Sequence, residues 1–323
     1  MDTSPPTIDD VRAAADRIAG LVVRTPLIGS PDLDARVGRR VLLKMETLQR
    51  TGSFKYRGAM AFLSQLGPEG RAKGVAAYSS GNHGQAVAAA AAHYGVPATI
   101  VMPADAPAAK TEGTLSRGAE VVFYDRATDD RVEMTRQSAE RSGAVIVPPF
   151  EHSWTIAGQG TAGLEMAEQC RALAVEDPVV LVPTGGGGLT AGIALALSVD
   201  LPRAEVHTVE PEDFDDYARS LRSGERVGIA DATESICDAL LAPTPGAIGF
   251  EINRRLVAGS ATVSDAEVRE AMRFAFETLK LVVEPGGAVG LALVLDGRAP
   301  GTGPVVVVLS GGNVDPAMVL DRA

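Results

Sequence analysis

Cysteine is nearly missing from this chain of 323 residues, which has only Cys170 and Cys237. No C-x-x-C pair and no Cys/His cluster at ligand spacing is present, which argues against a structural zinc site. The two residues read as free thiols in a reducing compartment. Basic charge is also in deficit: 30 Lys and Arg stand against 41 Asp and Glu, a net charge of −11. Such a chain stays soluble and disfavours non-specific binding to nucleic acid, while leaving room for a local basic pocket. A signal core is missing as well, since residues 1–10 are polar and Pro-rich. Long apolar runs are absent, and the Ala-rich stretch 86–92 is far too short to span a bilayer. The expectation is a cytoplasmic protein with neither a membrane nor a nucleic acid as partner. No internal repeat or low-complexity linker stands out.

Hydrophobic residues make up 46% of the chain, enough for one large core or two moderate ones. Short β-branched runs at 41–44, 75–78, 98–102, 120–124, 144–147, 179–182, 205–209 and 305–309 read as strands. Most are continuously apolar, as parallel strands covered on both faces are. Helical patterns lie between them. Residues 84–93 are almost all alanine, 129–141 place Val132, Thr135 and Ala139 near one face, and 264–281 open with a Ser264/Glu267 capping box. Alternation of strand and helix predicts an α/β fold with two domains of twisted, mostly parallel sheets flanked by helices. Residues 75–147 form a compact strand–helix block of their own. The division expected is a smaller domain, 51–148, inserted into a larger one made of 1–50 and 149–323, with a cleft between them.

Five segments carry candidate chemistry. The first is Thr51-Gly52-Ser53-Phe54-Lys55-Tyr56-Arg57-Gly58, which follows a strand and opens a helix. A helix N-terminus is unfavourable for a cation, and a buried lysine there has a depressed pKa. Such an amine is nucleophilic near neutrality and suits Schiff-base chemistry. The second is Gly185-Gly186-Gly187-Gly188 between an apolar strand and the helical 189–197. Consecutive backbone N–H groups can converge there on an anion at a helix N-terminus. Gly186-x-Gly188-x-x-Ala191 also fits a dinucleotide fingerprint, with Glu210 ending the next strand, so a nicotinamide-dependent oxidoreductase stays open at this point. The third, Ser79-Ser80-Gly81-Asn82-His83-Gly84, is a strand-to-helix turn. It can hold a carboxylate, or it can be a helix start capped by Ser or Asn. The fourth, Ser310-Gly311-Gly312-Asn313, puts a serine at a strand's carboxyl edge, where α/β sheets bind ligands. The fifth, residues 209–216, packs five carboxylates into seven residues. A divalent cation would relieve their repulsion, with Glu210, Asp216 and the Phe214 carbonyl as its ligands; a solvated acidic loop is the alternative.

In their order along the chain, Ser53-Phe54-Lys55-x-Arg57-Gly58, Ser79-Ser80-Gly81-Asn82-His83-Gly84-Gln85, Ala157-Gly158-Gln159-Gly160-Thr161, Gly185–Gly188, Val209-Glu210-Pro211 and Ser310-Gly311-Gly312-Asn313 form one pattern. The chain resembles the serine/threonine dehydratase and serine racemase family of fold-type II pyridoxal-phosphate enzymes, from about residue 25 to residue 315. The resemblance implies the tryptophan-synthase-β-like fold, pyridoxal 5′-phosphate as cofactor, an amino acid as substrate and a homodimer as assembly. It implies that Lys55 carries the cofactor as an imine and acts as the base at Cα. Phe54 packs near the ring, Asn82 bonds the ring oxygen and Ser310 meets the ring nitrogen. Gly185, Gly186, Gly187, Gly188 and Leu189 hold the phosphate. Ser79, Ser80, Asn82 and His83 surround the substrate carboxylate, and Arg131 stands where racemase-like members place an arginine near it. Glu210, Phe214 and Asp216 match the metal-dependent members, with Mg2+ expected, or else Ca2+ or Mn2+.

The reaction implied is loss of the β-hydroxyl from a serine- or threonine-like amino acid, giving a 2-oxo acid and ammonia. A serine at the ring nitrogen cannot keep the ring protonated as a carboxylate would, which favours prompt elimination. Ser80 stands where racemising members use a serine opposite the lysine, so racemisation is the other activity implied. Glu284-Pro285-Gly286-Gly287-Ala288 and Ser235-Ile236-Cys237-Asp238-Ala239 depart from the usual family turns. They resemble a bacterial subgroup that includes enzymes of hydroxyectoine utilisation and of β-hydroxyaspartate. With few residues after Asp315, the amino-acid-sensing domain of feedback-regulated threonine deaminases is not expected.

Overall fold

A computed structural model describes residues 4–79, 81–106, 108–229 and 234–320. The strands are β1 Leu27–Gly29, β2 Val41–Met45, β3 Val75–Tyr78, β4 Ala98–Pro103, β5 Glu120–Tyr124, β6 Val145–Ile146, β7 Val179–Pro183, β8 Glu205–Pro211, β9 Val257–Val263 and β10 Val305–Leu309. They form two sheets: a six-stranded one ordered β1-β2-β10-β7-β8-β9 and a four-stranded one ordered β5-β4-β3-β6. Every pairing is parallel except β1 with β2. The expected α/β class with two mostly parallel sheets is thus observed.

Parallel pairing has a direct consequence for the site. β2, β10, β7 and β8 are neighbours and run the same way. Their carboxyl ends therefore share one edge, the edge at which open α/β sheets bind ligands. The lysine segment follows β2, Ser310 follows β10, the glycine loop follows β7 and Glu210 lies near the end of β8. In the smaller sheet, Ser79 follows β3.

Two strands lie outside those expected from the sequence. β1 spans three residues at a sheet edge, and β9 reads V-A-G-S-A-T-V, with little β propensity. Pairing with β8 makes β9 a strand, which is a tertiary effect. The helix expected over 264–281 is interrupted: Asp265–Phe274 is α-helical, Ala275–Leu279 is a π turn, and the run ends at Lys280 with φ +60°. Its capping box forms as expected, with Glu267 N–H donating to Ser264 Oγ at 3.3 Å and Ser264 N–H donating to Glu267 Oε2 at 2.7 Å. In the helix Arg131–Ser142, Thr135 and Ala139 are buried, but Val132 is exposed. Val132 lies in the first turn, beyond the sheet the helix covers.

Small residues bring the long helix Ser153–Ala172 against the helix Gly188–Asp200. A side chain at Gly192 would meet Gly160 N at 2.5 Å and Ile156 O at 2.6 Å. This close crossing fixes where the second helix begins, and its N-terminus is the glycine loop.

Candidate active site

Lys55 is the first residue of the helix Lys55–Ser64. Its start is tied to the carboxyl edge of the large sheet. Phe54 N–H donates to Ser310 O at 3.0 Å and Gly312 N–H to Gly52 O at 2.9 Å, and Ser53 bridges to Gly311. Asn313 Nδ2 donates to Thr51 O at 2.7 Å and to Asn82 Oδ1 at 2.7 Å. Two segments far apart in sequence are thereby closed on each other beneath the amine.

Lys55 Nζ donates to Pro149 O at 2.9 Å and stands 5.1 Å from the centre of the Phe54 ring. Burial pushes its pKa down to about 8, against a partial opposing pull from the Glu284 carboxylate. Dehydration is the leading cause. A free amine is thus present in quantity near neutral pH.

Behind the amine, the helix is anchored by a buried group of four charges. Arg57 Nε and Nη2 donate to Glu46 at 2.8 and 2.9 Å, and Nη1 and Nη2 donate to Glu165 at 2.7 and 2.8 Å. Lys44 Nζ donates to Glu165 Oε2 at 2.7 Å. Arg57, Glu46 and Lys44 are fully buried. No local pattern announces this network, because its members lie on separate elements.

In the small sheet, the turn after β3 opens the helix Asn82–Tyr94. Its N-cap is Gly81, with no side-chain cap bond; neither Ser nor Asn caps it. The Asn82 side chain is therefore available elsewhere: Nδ2 donates to Glu284 Oε1 at 2.6 Å. Ser79 Oγ accepts from Gly81 N–H at 3.0 Å. Ser80 lies outside the described residues. His83 Nε2 lies 2.8 Å from Val147 O; a carbonyl only accepts, so Nε2 carries the proton. Burial, helped by the charge of Lys55, pushes the His83 pKa down to about 3. His83 is neutral and offers Nδ1 as an acceptor. Arg131, the first residue of its helix, lies 5.5 Å from the centre of the Tyr78 ring, one residue before Ser79.

Glu284 and Asn313 are functional neighbours that motif reading misses. Glu284 stands out in the sequence only as part of an unusual turn, and Asn313 only as the end of a motif. Their contacts with Asn82 join the two sheets' edges.

The glycine loop has the features of an anion cradle. None of the N–H groups of Gly185, Gly186, Gly187, Gly188 and Leu189 finds an acceptor among the described residues. Five unpaired donors at a helix N-terminus suit a phosphate. Phe150 packs beneath the loop, its ring occupying the place where a Gly186 side chain would begin. At the base, Thr184 Oγ1 donates to Val182 O at 2.8 Å and so accepts from Thr190 Oγ1 at 2.7 Å.

Glu210 does not face this loop as a ribose ligand. It is fully buried, and its oxygens accept from Tyr217 N–H at 2.8 Å and Ala218 N–H at 2.9 Å. The carboxylate that a dinucleotide site needs is engaged on the helix Asp216–Ser223, and that alternative fails. Asp216 is also buried, and neither of its carboxylate oxygens has a hydrogen-bond partner among the described residues. Burial, with repulsion between the two groups, raises the pKa of Glu210 well above the usual range. Burial is the leading cause at Asp216, raising it to about 7. Phe214 is buried in the short turn Glu212–Phe214 between them. Among the described residues, no group of three or more His, Cys, Asp or Glu side chains could hold a metal ion. No helix among the described residues is long and apolar enough to cross a membrane.

The family model for pyridoxal-phosphate dependent enzymes matches residues 18–311. The chain is 45% identical over 307 residues to the L-threo-3-hydroxyaspartate ammonia-lyase of Pseudomonas sp, covering 95% of each. It is 40% identical over 316 residues to the serine racemase of Schizosaccharomyces pombe, covering 96% of this chain and 95% of that one. A crystal structure of threonine deaminase from T.th. superposes with a TM-score of 0.90 at 43% identity, covering 96% of this chain and 99% of that one. An interior amine of depressed pKa, an open anion cradle and a shared carboxyl edge agree with these matches: the chain belongs to the pyridoxal-phosphate-dependent enzymes of fold type II, in the serine/threonine dehydratase and serine racemase family.

Proposed function

We propose that the protein is an ammonia-lyase that eliminates the β-hydroxyl of a β-hydroxy amino acid and yields a 2-oxo acid and ammonia, with 3-hydroxyaspartate as the leading substrate. The observation that carries this reading is the Lys55 amine, held at a pKa of about 8 beside Asn82, Glu284 and Ser310 at the sheet edge that also bears the glycine loop. The residues present fit pyridoxal phosphate: a dehydrated amine, five loop N–H groups unpaired among the described residues, and the buried Ser310 at the carboxyl end of β10. When bound, the cofactor supplies an aldehyde for amino groups and a ring that draws electrons away from the substrate Cα.

The chain's own residues then divide the work. Gly185–Leu189 bind the phosphate and Phe54 lies against the ring. Asn82 keeps one amide hydrogen free of Glu284 to reach the ring oxygen. Ser310 addresses the ring nitrogen. The free N–H groups of Asn82 and His83, with Ser79 and Ser80, hold the α-carboxylate. Lys55 Nζ takes the Cα proton. The β-hydroxyl leaves with that proton as water, and one water then hydrolyses the resulting enamine by way of its imine, releasing ammonia and leaving a 2-oxo acid, so ammonia is the only net loss. The reading takes residues 51–148 as the substrate-side unit and 1–50 with 149–323 as the cofactor-side unit.

Hydroxyaspartate leads for two reasons. The Pseudomonas relative at 45% identity acts on it by name. A second substrate carboxylate also needs a cation, and Arg131 stands beside Tyr78 at the entrance to the Ser79 turn. The S. pombe relative, a serine racemase, favours inversion as a second activity, with Ser80 as the group opposite Lys55. We include in this reading a divalent cation at Glu210, Asp216 and the Phe214 carbonyl. The two bare oxygens of Asp216 fit a hard cation.

A substrate panel tests the reading: L- and D-serine, L-threonine, the 3-hydroxyaspartates and a hydroxyectoine-derived amino acid, scored for ammonia, 2-oxo acid and inversion. Highest kcat/KM for a 3-hydroxyaspartate is expected, with Arg131→Ala lowering it far more than it lowers turnover of threonine. Equal loss on both substrates removes Arg131 from substrate choice. Inactivity of the cofactor-loaded protein on every member overturns the lyase reading.

A further inference from the structure

The cradle's N–H groups point where they do because something holds the loop's carbonyls on the other side. Gly186 O accepts from Gly246 N–H at 3.1 Å. Gly187 O accepts from Asn253 Nδ2 at 3.1 Å. Both donors belong to the segment that forms the helix Ala247–Leu256 and its cap. A trans peptide is planar, and its C=O and N–H point in opposite directions. Pinning the carbonyls of Gly186 and Gly187 on one side therefore turns the N–H groups of Gly187 and Gly188 to the other, toward the anion.

A second side chain completes the clamp. Tyr217 presses its hydroxyl against Gly187, so closely that a Cβ at Gly187 would overlap it. Gly187 sits at φ +87°, a conformation that glycine adopts without strain. The hydroxyl accepts the second hydrogen of the Asn253 amide at 3.0 Å. Tyr217 is itself immobilised, since its N–H is held by Glu210 and its ring meets Phe250 edge-on, 6.2 Å between centres. Tyr217 and Asn253 are both fully buried. The Asn253 Oδ1 atom has no hydrogen-bond partner among the described residues, so the amide's contribution here is its two donors, and it leaves a bare buried acceptor.

We propose that Asn253 and Tyr217 are positioning residues of the phosphate site: together they lock the Gly187 peptide in the orientation that aims the loop's N–H groups at the cofactor's phosphate monoester. The proposal rests on the reading of Gly185–Leu189 as the phosphate cradle. It makes a loop of four glycines, floppy by composition, rigid before the cofactor arrives. It also ties the acidic turn after β8 to the phosphate loop after β7, because Tyr217 follows that turn in the chain and packs against Gly187.

The test uses cofactor-free full-length protein: wild type, Asn253→Ala and Tyr217→Phe. Dissociation constants for pyridoxal phosphate and for pyridoxal, which lacks the phosphate, are measured by absorbance. The 31P resonance of the bound cofactor and the melting temperature of the cofactor-free form are recorded alongside. Losing the Asn253 bond to the loop should weaken pyridoxal phosphate about 10-fold in Asn253→Ala, and losing the hydroxyl that holds the Asn253 amide should weaken it about 3-fold in Tyr217→Phe. Pyridoxal should bind as before, and the 31P signal should move in both variants. A purely structural role would lower the melting temperature and leave the ratio of the two affinities, and the 31P shift, unchanged; that result overturns the proposal. Should Asn253→Ala fail to fold, Tyr217→Phe decides alone, since it deletes a single oxygen. Wild-type protein that binds pyridoxal as tightly as pyridoxal phosphate overturns the cradle reading and the proposal with it. Wild-type discrimination retained in folded variants overturns the proposal alone.

Discussion

Replacing Arg57 by methionine removes the central cation from the buried group behind Lys55 while keeping much of the side chain's volume. Glu165 retains Lys44, 2.7 Å away, and is itself slightly exposed. Glu46 retains a single side-chain hydrogen bond, from Thr25 Oγ1 at 2.6 Å, and the weaker attraction of Lys44, for a carboxylate with no exposed surface. A buried charge that loses its hydrogen-bonded ion partner costs about 3–5 kcal/mol. At a urea slope of about 3 kcal/mol/M, the midpoint of unfolding should fall by roughly 1–1.7 M. Adding Glu46→Gln should recover part of the loss, because a neutral amide keeps the bond to Thr25 and buries no charge. Burial alone would raise the Glu46 pKa, but Arg57 overcomes it and holds the group below the usual carboxylate range. A depressed carboxylate stabilises the fold above its unfolded pKa and loses that contribution as pH falls through the folded value. The gap between wild type and Arg57→Met should therefore narrow as pH drops below the ordinary carboxylate range. Urea titration of the cofactor-free protein at several pH values measures all three effects. A penalty below about 1 kcal/mol, or a Glu46→Gln change that adds its own cost to Arg57→Met, refutes the reasoning.

Three further outcomes are expected. Lys55, depressed to about 8 from 10.5, penalises the folded cofactor-free protein while charged; stability should rise with pH between those values, and Lys55→Met should remove that slope along with the visible cofactor absorption that borohydride abolishes. Gly187→Ala combines a strained φ with overlap on the Tyr217 hydroxyl, so cofactor affinity measured by titration should fall at least about 10-fold, whereas Gly185→Ala, with its nearest contact at 3.1 Å, should cost much less. If a divalent cation occupies Glu210 and Asp216 at about 100 times its dissociation constant, chelation should remove about 2.7 kcal/mol and lower the melting temperature by several degrees; an unchanged melting curve would leave Asp216 as a buried acid without a cation.

Legibility differs by element. The strands over 75–78, 120–124 and 305–309 are readable to the residue, because a continuous β-branched run has few other stable uses in an α/β sheet. β9 is not, because Val257–Val263 carries no pattern and becomes a strand only by pairing with β8. The helix after Ser264 is legible at its start, where the capping box is local, and not at its end, where a π turn interrupts it.

The sequence by itself determined the chemistry: a lysine opening a helix, a glycine run between strand and helix, and a serine turn at the last strand, each a short-range pattern with its own physical meaning. Only the tertiary structure decided which of these meanings hold. Burial, opposed by Glu284, sets the Lys55 pKa. Gly81 takes the cap, and Asn82 is released to Glu284 and Asn313. Glu210 turns inward onto a helix and closes the dinucleotide alternative. Asn253 and Tyr217 reach the loop from elements 66 and 30 residues beyond Gly187 in sequence. Dehydration, hydrogen-bond competition and peptide orientation all depend on what lies across the gap, and no local pattern records that.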